Sequence, residues 1–203
     1  IAYSYSKEGA KTQTVSKTIK IDKTKPTDTK PEATAKTNKI TVINKQTDAT
    51  SGIKEIKFQI KKNNETNWGE LQNSNEFERL KENTKYDVRT YATDKAGNEE
   101  YSQVTSVTTE KLPELIPEGE NENITITPSE TEPTNEDVII TAELDDEVNP
   151  DGEYKIEYST DDGETWEEYD PEEGIRVPEN EEVKVRITDG ENTSDEITIE
   201  VNN

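Results

Sequence analysis

Apolar residues along this chain fall in short alternating runs: Ile40-x-Val42, Ile56-x-Phe58-x-Ile60, Tyr86-x-Val88, Tyr154-x-Ile156-x-Tyr158, Val183-x-Val185 and Ile197-x-Ile199-x-Val201. A period of two puts every second side chain on one face of an extended strand, and the Gly, Pro, Asn and Asp clusters between the runs mark turns. No stretch carries the three-to-four spacing of an amphipathic helix. The pattern predicts roughly seven short strands in each ~90 residues, an all-β sandwich and not a parallel α/β sheet.

The pattern is written twice. A shift of 97 or 98 positions lays Thr37-Asn38 on Thr134-Asn135, Ile40-Thr41-Val42 on Val138-Ile139-Ile140, Trp68 on Trp166, Leu80 on Val177 and Tyr86 on Val183. Residues 1–26 hold a third, partial echo, with Tyr3, Gly9 and the alternating residues 15–21 resembling Tyr91, Gly97 and residues 104–109. The expected organisation is therefore residues 1–26 as the last strands of a preceding repeat plus a linker, residues 27–112 as one sandwich, and residues 113–203 as an acidic sandwich. Pro26 and Pro113 lie in the two linkers and favour extended connections. The chain opens in mid-pattern and reads as a segment of something longer.

Composition narrows the chemistry. Only 27% of the 203 residues are apolar and 35% are charged, enough for two thin cores but not for one large one. There is no Cys, His or Met, which removes disulfides, thiol nucleophiles, imidazole bases and the commonest zinc ligands. No apolar stretch is long enough for a membrane helix, and no membrane insertion is expected. The net charge of −23 is uneven: 20 basic and 16 acidic residues precede residue 113, against 4 and 31 from there on. An acidic surface of that density repels nucleic acid and anionic lipid and attracts cations or basic partners.

The stretch Leu80-x-x-x-Thr84-x-Tyr86-x-Val88-x-x-x-Ala92-x-Asp94-x-x-Gly97-Asn98 resembles the sixth strand of the fibronectin type III and bacterial immunoglobulin-like families. The resemblance implies tandem immunoglobulin-like (fibronectin III-like) β-sandwich domains. It also implies a buried Tyr86 whose hydroxyl bonds upstream backbone to make a corner, and a hairpin at residues 94–98 in which Gly97 takes positive φ. Asp189-Gly190 makes a shorter hairpin in the second copy, and Val183 replaces the corner tyrosine.

Ser159-Thr160-Asp161-Asp162-Gly163-Glu164-Thr165-Trp166 fits the Ser-x-Asp-x-Gly-x-Thr-Trp pattern of an Asp box, familiar in sialidases and other propellers. It reads as a hairpin device: Asp161 accepts turn amides, Gly163 permits the reversal and Trp166 packs back. Arg79, Arg89, Arg176 and Arg186 stand apart in sequence, unlike the arginine cluster a sialidase needs. Trp68 and Trp166 are expected to cap the cores, the competing reading being a sugar-stacking platform. Lys155 and Lys184, on strands, raise the question of intramolecular isopeptide bonds.

The acidic loops of the second copy supply candidate calcium ligands, Asp145, Asp146, Asp151, Asp161, Asp162 and Asp189, although their spacing is not that of an EF-hand. The competing reading is a solvated like-charge face. No catalytic residue and no obligatory cofactor is expected. The function expected from a repeat without chemistry is a non-catalytic spacer or stalk of a bacterial, Gram-positive-type surface protein, extracellular at the cell surface or secreted. The chain would be monomeric, with neighbouring repeats as its partners. The alternatives are an adhesin module for cell-surface glycan or host protein, and an accessory module of a secreted glycoside hydrolase.

Overall fold

A computed structural model describes residues 21–116 and 123–201. Its strands are β1 (Glu32–Ala35), β2 (Ile40–Ile43), β3 (Ile53–Lys62), β4 (Glu76–Phe77), β5 (Lys85–Asp94), β6 (Glu99–Tyr101) and β7 (Thr105–Thr108), then β8 (Ile124–Pro128), β9 (Val138–Leu144), β10 (Lys155–Ser159), β11 (Glu167–Glu168), β12 (Ile175–Val177), β13 (Glu181–Thr188) and β14 (Ile197–Val201). No helix occurs among the described residues. Most of the residue 1–26 segment lies outside them.

The first seven strands form two antiparallel sheets, β1-β2-β4 and β3-β5 with β6 and β7 both paired to β5. The second seven repeat the plan as β12-β9-β8 and β11-β10-β13-β14. Each half is a fibronectin type III-like sandwich. In β5 Tyr86, Val88, Thr90, Ala92 and Asp94 are buried while Arg89, Tyr91 and Thr93 are half-exposed, and the one break in the alternation is buried Asp87, which is bonded to Asn63 and Ser106 and paired with Lys61. Ile40, Val42, Phe58, Phe77, Tyr86 and Val88 fill the N-terminal core; Ile124, Val138, Ile140, Ile156, Ile175, Val177, Val183, Val185 and Ile187 are central to the C-terminal one. Each such side chain fully removed from water contributes about 1.5–3 kcal/mol, which is how a chain this polar still folds.

Strand register refines the repeat. Ile40 faces Phe77, and its equivalent Val138 faces Val177. Val177 therefore stands where Phe77 does, not where Leu80 does. Further on, Phe58 faces Thr90 and Ile156 faces Ile187, so the connection into β13 is three residues shorter than that into β5. The longer N-terminal connection is the one that carries Arg79 and Asn83 at positive φ and the corner. There the Lys81 backbone N–H donates to the Tyr86 hydroxyl at 3.1 Å.

The last strand of the N-terminal sandwich is interrupted. Between β6 and β7 the Ser102 amide still donates to Thr90, but that of Gln103 turns away to the Asp28 carbonyl. Its counterpart β14 is continuous and forms the edge of its sheet.

Candidate cation site

The Asp box behaves as the hairpin device expected of it. Asp161 accepts the Ser159 hydroxyl at 2.7 Å, the Thr165 amide at 2.8 Å and the Thr165 hydroxyl, Gly163 sits at φ 88°, and the Trp166 indole N–H donates to the Gly163 carbonyl. The Thr165 hydroxyl bond first, then the Thr165 amide and Ser159, pull the Asp161 pKa down to about 2.

Both tryptophans lie outside the cores. Trp68 is half-buried on the outer face of its sheet with the Arg89 guanidinium 4.1 Å from its ring centre, and Trp166 is placed likewise with Arg186 at 3.8 Å. Those arginines are anchored in turn, Arg89 to Gln59 and Arg186 to Glu157, at matching positions in register. The core-capping expectation is thus corrected: each tryptophan lies in the irregular segment ahead of the fourth strand of its sandwich, and a stacked arginine covers one face of the ring. In the N-terminal sandwich the cluster is larger, with the Tyr101 ring also 4.0 Å from the Arg89 guanidinium and the Tyr91 ring packed against Tyr101 at 4.7 Å, tilted by 46°.

The six aspartates proposed as calcium ligands occupy three separate places. Asp145, Asp146 and Asp151 are exposed in the β9–β10 loop, where Asp145 accepts the Glu147 amide. Asp161 is committed to the hairpin and Asp162 pairs with Lys184 at 2.6 Å. Asp189 closes the β13–β14 hairpin, accepting the Glu191 and Asn192 amides and the Asn192 side chain. Lys155 pairs with Glu168 at 2.8 Å and Lys184 also approaches Glu196, ordinary ion pairs with carboxylates.

Among the described residues the carboxylates that converge are Asp22, Asp48 and Asp94, with one oxygen from each lying within 4.8 Å of the others. Each is fixed by a local turn. Asp22 Oδ1 accepts the Thr24 amide at 2.9 Å. Asp48 Oδ1 accepts the amides of Thr50, Ser51 and Gly52. Asp94 Oδ1 accepts those of Ala96 and Asn98, and its Oδ2 accepts the Asn98 side-chain amide. The Asp22 and Asp48 Oδ2 atoms are buried and have no hydrogen-bond partner.

Two of the three are held towards the charged form. The Gly52 amide, opposed by burial and helped by Ser51 and Thr50, lowers the Asp48 pKa. For Asp94 burial acts against ionisation, but the Asn98 side chain and the surrounding amides outweigh it and the pKa is again lowered. Carboxylates this close to one another repel. Orphaned buried acceptors and uncompensated charge together describe a place for a cation. An all-oxygen set, with the Asp22 and Thr24 carbonyls beside it on the Asn98 amide, suits a hard ion such as calcium over zinc.

The opposite pole of the N-terminal sandwich meets the C-terminal one. Asn38 Nδ2 donates to the Asp189 carbonyl at 3.0 Å, Asn192 Nδ2 to the Leu80 carbonyl at 3.2 Å, and the Glu82 amide to Asn192 Oδ1 at 3.3 Å. Thr37, almost fully buried, lies beside both Asp189 and the Tyr154 hydroxyl. Burial, with Glu110, Asp189 and Glu82 nearby, raises the Tyr154 pKa. Arg79 faces Glu191 at 3.4 Å, and Lys36 pairs with Glu153 and approaches Asp151.

Residues 138–196 match the family described as Chitobiase/beta-hexosaminidase C-terminal domain. No curated protein matches the chain. Among solved structures it is similar to the FN1–FN3 domains of chicken CNTN1, at 17% identity over 88% of this chain and 66% of that one, with a TM-score of 0.34. It is also similar to a two-domain fibronectin type III segment of chicken tenascin, at 14% identity over 88% and 99%, with a TM-score of 0.29. The chain thus spans just under two thirds of the CNTN1 segment. The fold assignment stands on strand order and register, which are those of a fibronectin type III-like sandwich.

Proposed function

We propose that the chain is a non-catalytic run of extracellular modules whose work is protein–protein contact. Residues 27–112 and 113–203 are consecutive modules, and residues 1–26 close a preceding repeat. Each module grips its neighbour end to end, so that the string, on a bacterial surface protein, holds a binding or catalytic domain at a distance. The joint between the sandwiches carries this reading, because it is made of direct, partly buried hydrogen bonds and not of a free linker. Residual dipolar couplings test it. One alignment tensor should fit both sandwiches, and Asn192→Ala should make two necessary. A wild-type chain that already needs two independent tensors would refute the spacer.

A second reading, adhesion to a protein partner, is favoured by the outward stack Trp68–Arg89–Tyr101–Tyr91. Trp, Tyr and Arg dominate binding hot spots between proteins. The proposed cofactor is a calcium-class ion at Asp22, Asp48 and Asp94, supported by the two orphaned buried oxygens. Isothermal titration with calcium should lose its specific heat in Asp48→Asn; an unchanged isotherm would exclude the site.

A further inference from the structure

The two sandwiches share one cation–aromatic unit and differ in what completes it. In the C-terminal sandwich Arg186 stacks on Trp166, its Nε donates to Glu157 Oε2 at 2.9 Å, and its Nη2 pairs with the same oxygen at 2.8 Å. In the N-terminal sandwich the residue in register with the arginine is Gln59, and the Arg89 Nε donates to its neutral Oε1 at 2.9 Å. Among the described residues no carboxylate pairs with Arg89, and its two terminal nitrogens have no hydrogen-bond partner. Lys57 and Lys61, in register on the same face, are neutralised by Glu55 and Asp87. Burial, opposed by Tyr101, lowers the Arg89 pKa, as befits a cation drawn partly out of water without a counter-charge. The face is also richer in aromatics than folding requires. Where the C-terminal sandwich sets Thr188 opposite Thr193, the N-terminal one sets Tyr91 opposite Tyr101, and Tyr101 is 37% exposed. A sandwich of the same plan closes without this pair, so neither the tyrosines nor the unmatched arginine is explained by the fold.

Resting on the adhesion reading above, we infer that Arg89 is the anchor for a carboxylate of a partner protein, carried by an acidic peptide segment laid over Trp68 and Tyr101. Charge complementarity selects the occupant. Glu157 shows which group satisfies this arginine in the sister sandwich, and Gln59 leaves that role open. A guanidinium fork takes a carboxylate through two parallel N–H bonds, and the two terminal nitrogens of Arg89 are the donors available for it. The rings packed on the guanidinium keep water from part of it, which strengthens such a pair. The surroundings fix where the acid sits. Asp87 is committed to Lys61, Asn63 and Ser106, while Glu55 and Glu99 both face Thr93, beyond Tyr91 as seen from Arg89. A partner carboxylate is therefore received at the Arg89 end and repelled at the Thr93 end, and the residue next to it in the partner meets the exposed Tyr101 ring.

The test uses the full chain and a hexaglutamate peptide blocked at both ends, at about 0.15 M salt to screen repulsion by the acidic sandwich. Titration followed by NMR should move the Arg89 Nε–H and Trp68 indole N–H signals, with hexaglutamine inert. Arg89→Lys, which keeps the charge and loses the fork, should weaken binding about tenfold. Gln59→Glu, which supplies the carboxylate from within as Glu157 does, should abolish it. A circular dichroism melt shows whether that variant is folded, and Arg89→Lys carries the test if it is not. Unchanged affinity in either folded variant would overturn the anchor. Equal affinity for hexaglutamine or hexalysine would keep the adhesive face and overturn its preference for acid. An oligogalacturonate that moves these signals when hexaglutamate does not would assign the face to an acidic glycan, and self-association lost in Arg89→Lys would assign it to a second copy; either result overturns the proposal. If none of these ligands moves the signals and the chain stays monomeric, the anchor and the adhesion reading fall together.

Discussion

Removing one oxygen atom from Tyr86 isolates the contribution of the corner. The ring is 4% exposed and phenylalanine keeps it in place, so apolar burial is unchanged. The change is that the Lys81 N–H loses its acceptor at 3.1 Å in a partly buried loop. A donor stranded in this way costs about 1–2 kcal/mol. With a urea slope of about 1.5 kcal/mol/M for a domain of this size, the midpoint of the N-terminal sandwich should fall by about 1 M. Each sandwich holds a single tryptophan, so fluorescence in Trp68→Phe and Trp166→Phe backgrounds follows the two transitions separately. The C-terminal sandwich has Val183 at this position and is the internal control. Its intrinsic transition should stay put apart from a small loss of coupling, because Leu80 and Glu82, flanking Lys81, both bond Asn192. A midpoint shift under about 0.2 M in Tyr86→Phe, well below the cost of an unmet donor, would refute the corner as a stabilising element.

Gly174→Ala should be among the most damaging single-methyl changes, because the residue sits at φ 70° and a new Cβ would lie 2.8 Å from Ile139 Cγ2 and 3.1 Å from the Ile140 carbonyl. Overpacking plus left-handed strain predicts a loss of about 2–4 kcal/mol in thermal unfolding, whereas Gly97→Ala, at φ 92° with open space around it, should lose only about 1 kcal/mol. Trp166→Ala, which strips the stack from Arg186 and leaves the core intact, should cost about 1–2 kcal/mol; a loss near 4 kcal/mol would mean the ring is buried. Because the folded-state pKa of Asp161 is lowered to about 2 from the usual 3.8, its contribution is fully present above pH 4 and disappears as pH falls through 2. The stability gap between wild type and Asp161→Ala should therefore narrow across that window, and a gap that widened on acidification would reverse the assignment.

Strand positions were legible because alternation such as Ile56-x-Phe58-x-Ile60 and turn residues such as Gly97 are local signals. The Trp68 and Trp166 environments were not. Ring size suggested a core, while the deciding partner, an arginine on the neighbouring strand, is 20 or so positions away in sequence and becomes adjacent only through register. The match of Leu80 to Val177 failed for a similar reason, since a shorter connection slides sequence past structure. Charge counting pointed towards the acidic half for calcium, yet Asp22, Asp48 and Asp94 belong to the half with a basic excess. Each reads locally as an Asx turn, and nothing in the intervening chain shows that three turns share a corner of space. A low net charge conceals a concentrated one.

The broken final strand of the N-terminal sandwich also bears on solubility. By spending the Gln103 amide on Asp28, it denies a stranger the continuous row of backbone donors and acceptors that a β-edge offers. The C-terminal sandwich leaves that row intact along β14, with Glu196 and Glu200 beside it as electrostatic guards. Replacing those two carboxylates with amides would leave Ile197–Val201 as an unguarded edge on which a second chain can add a strand.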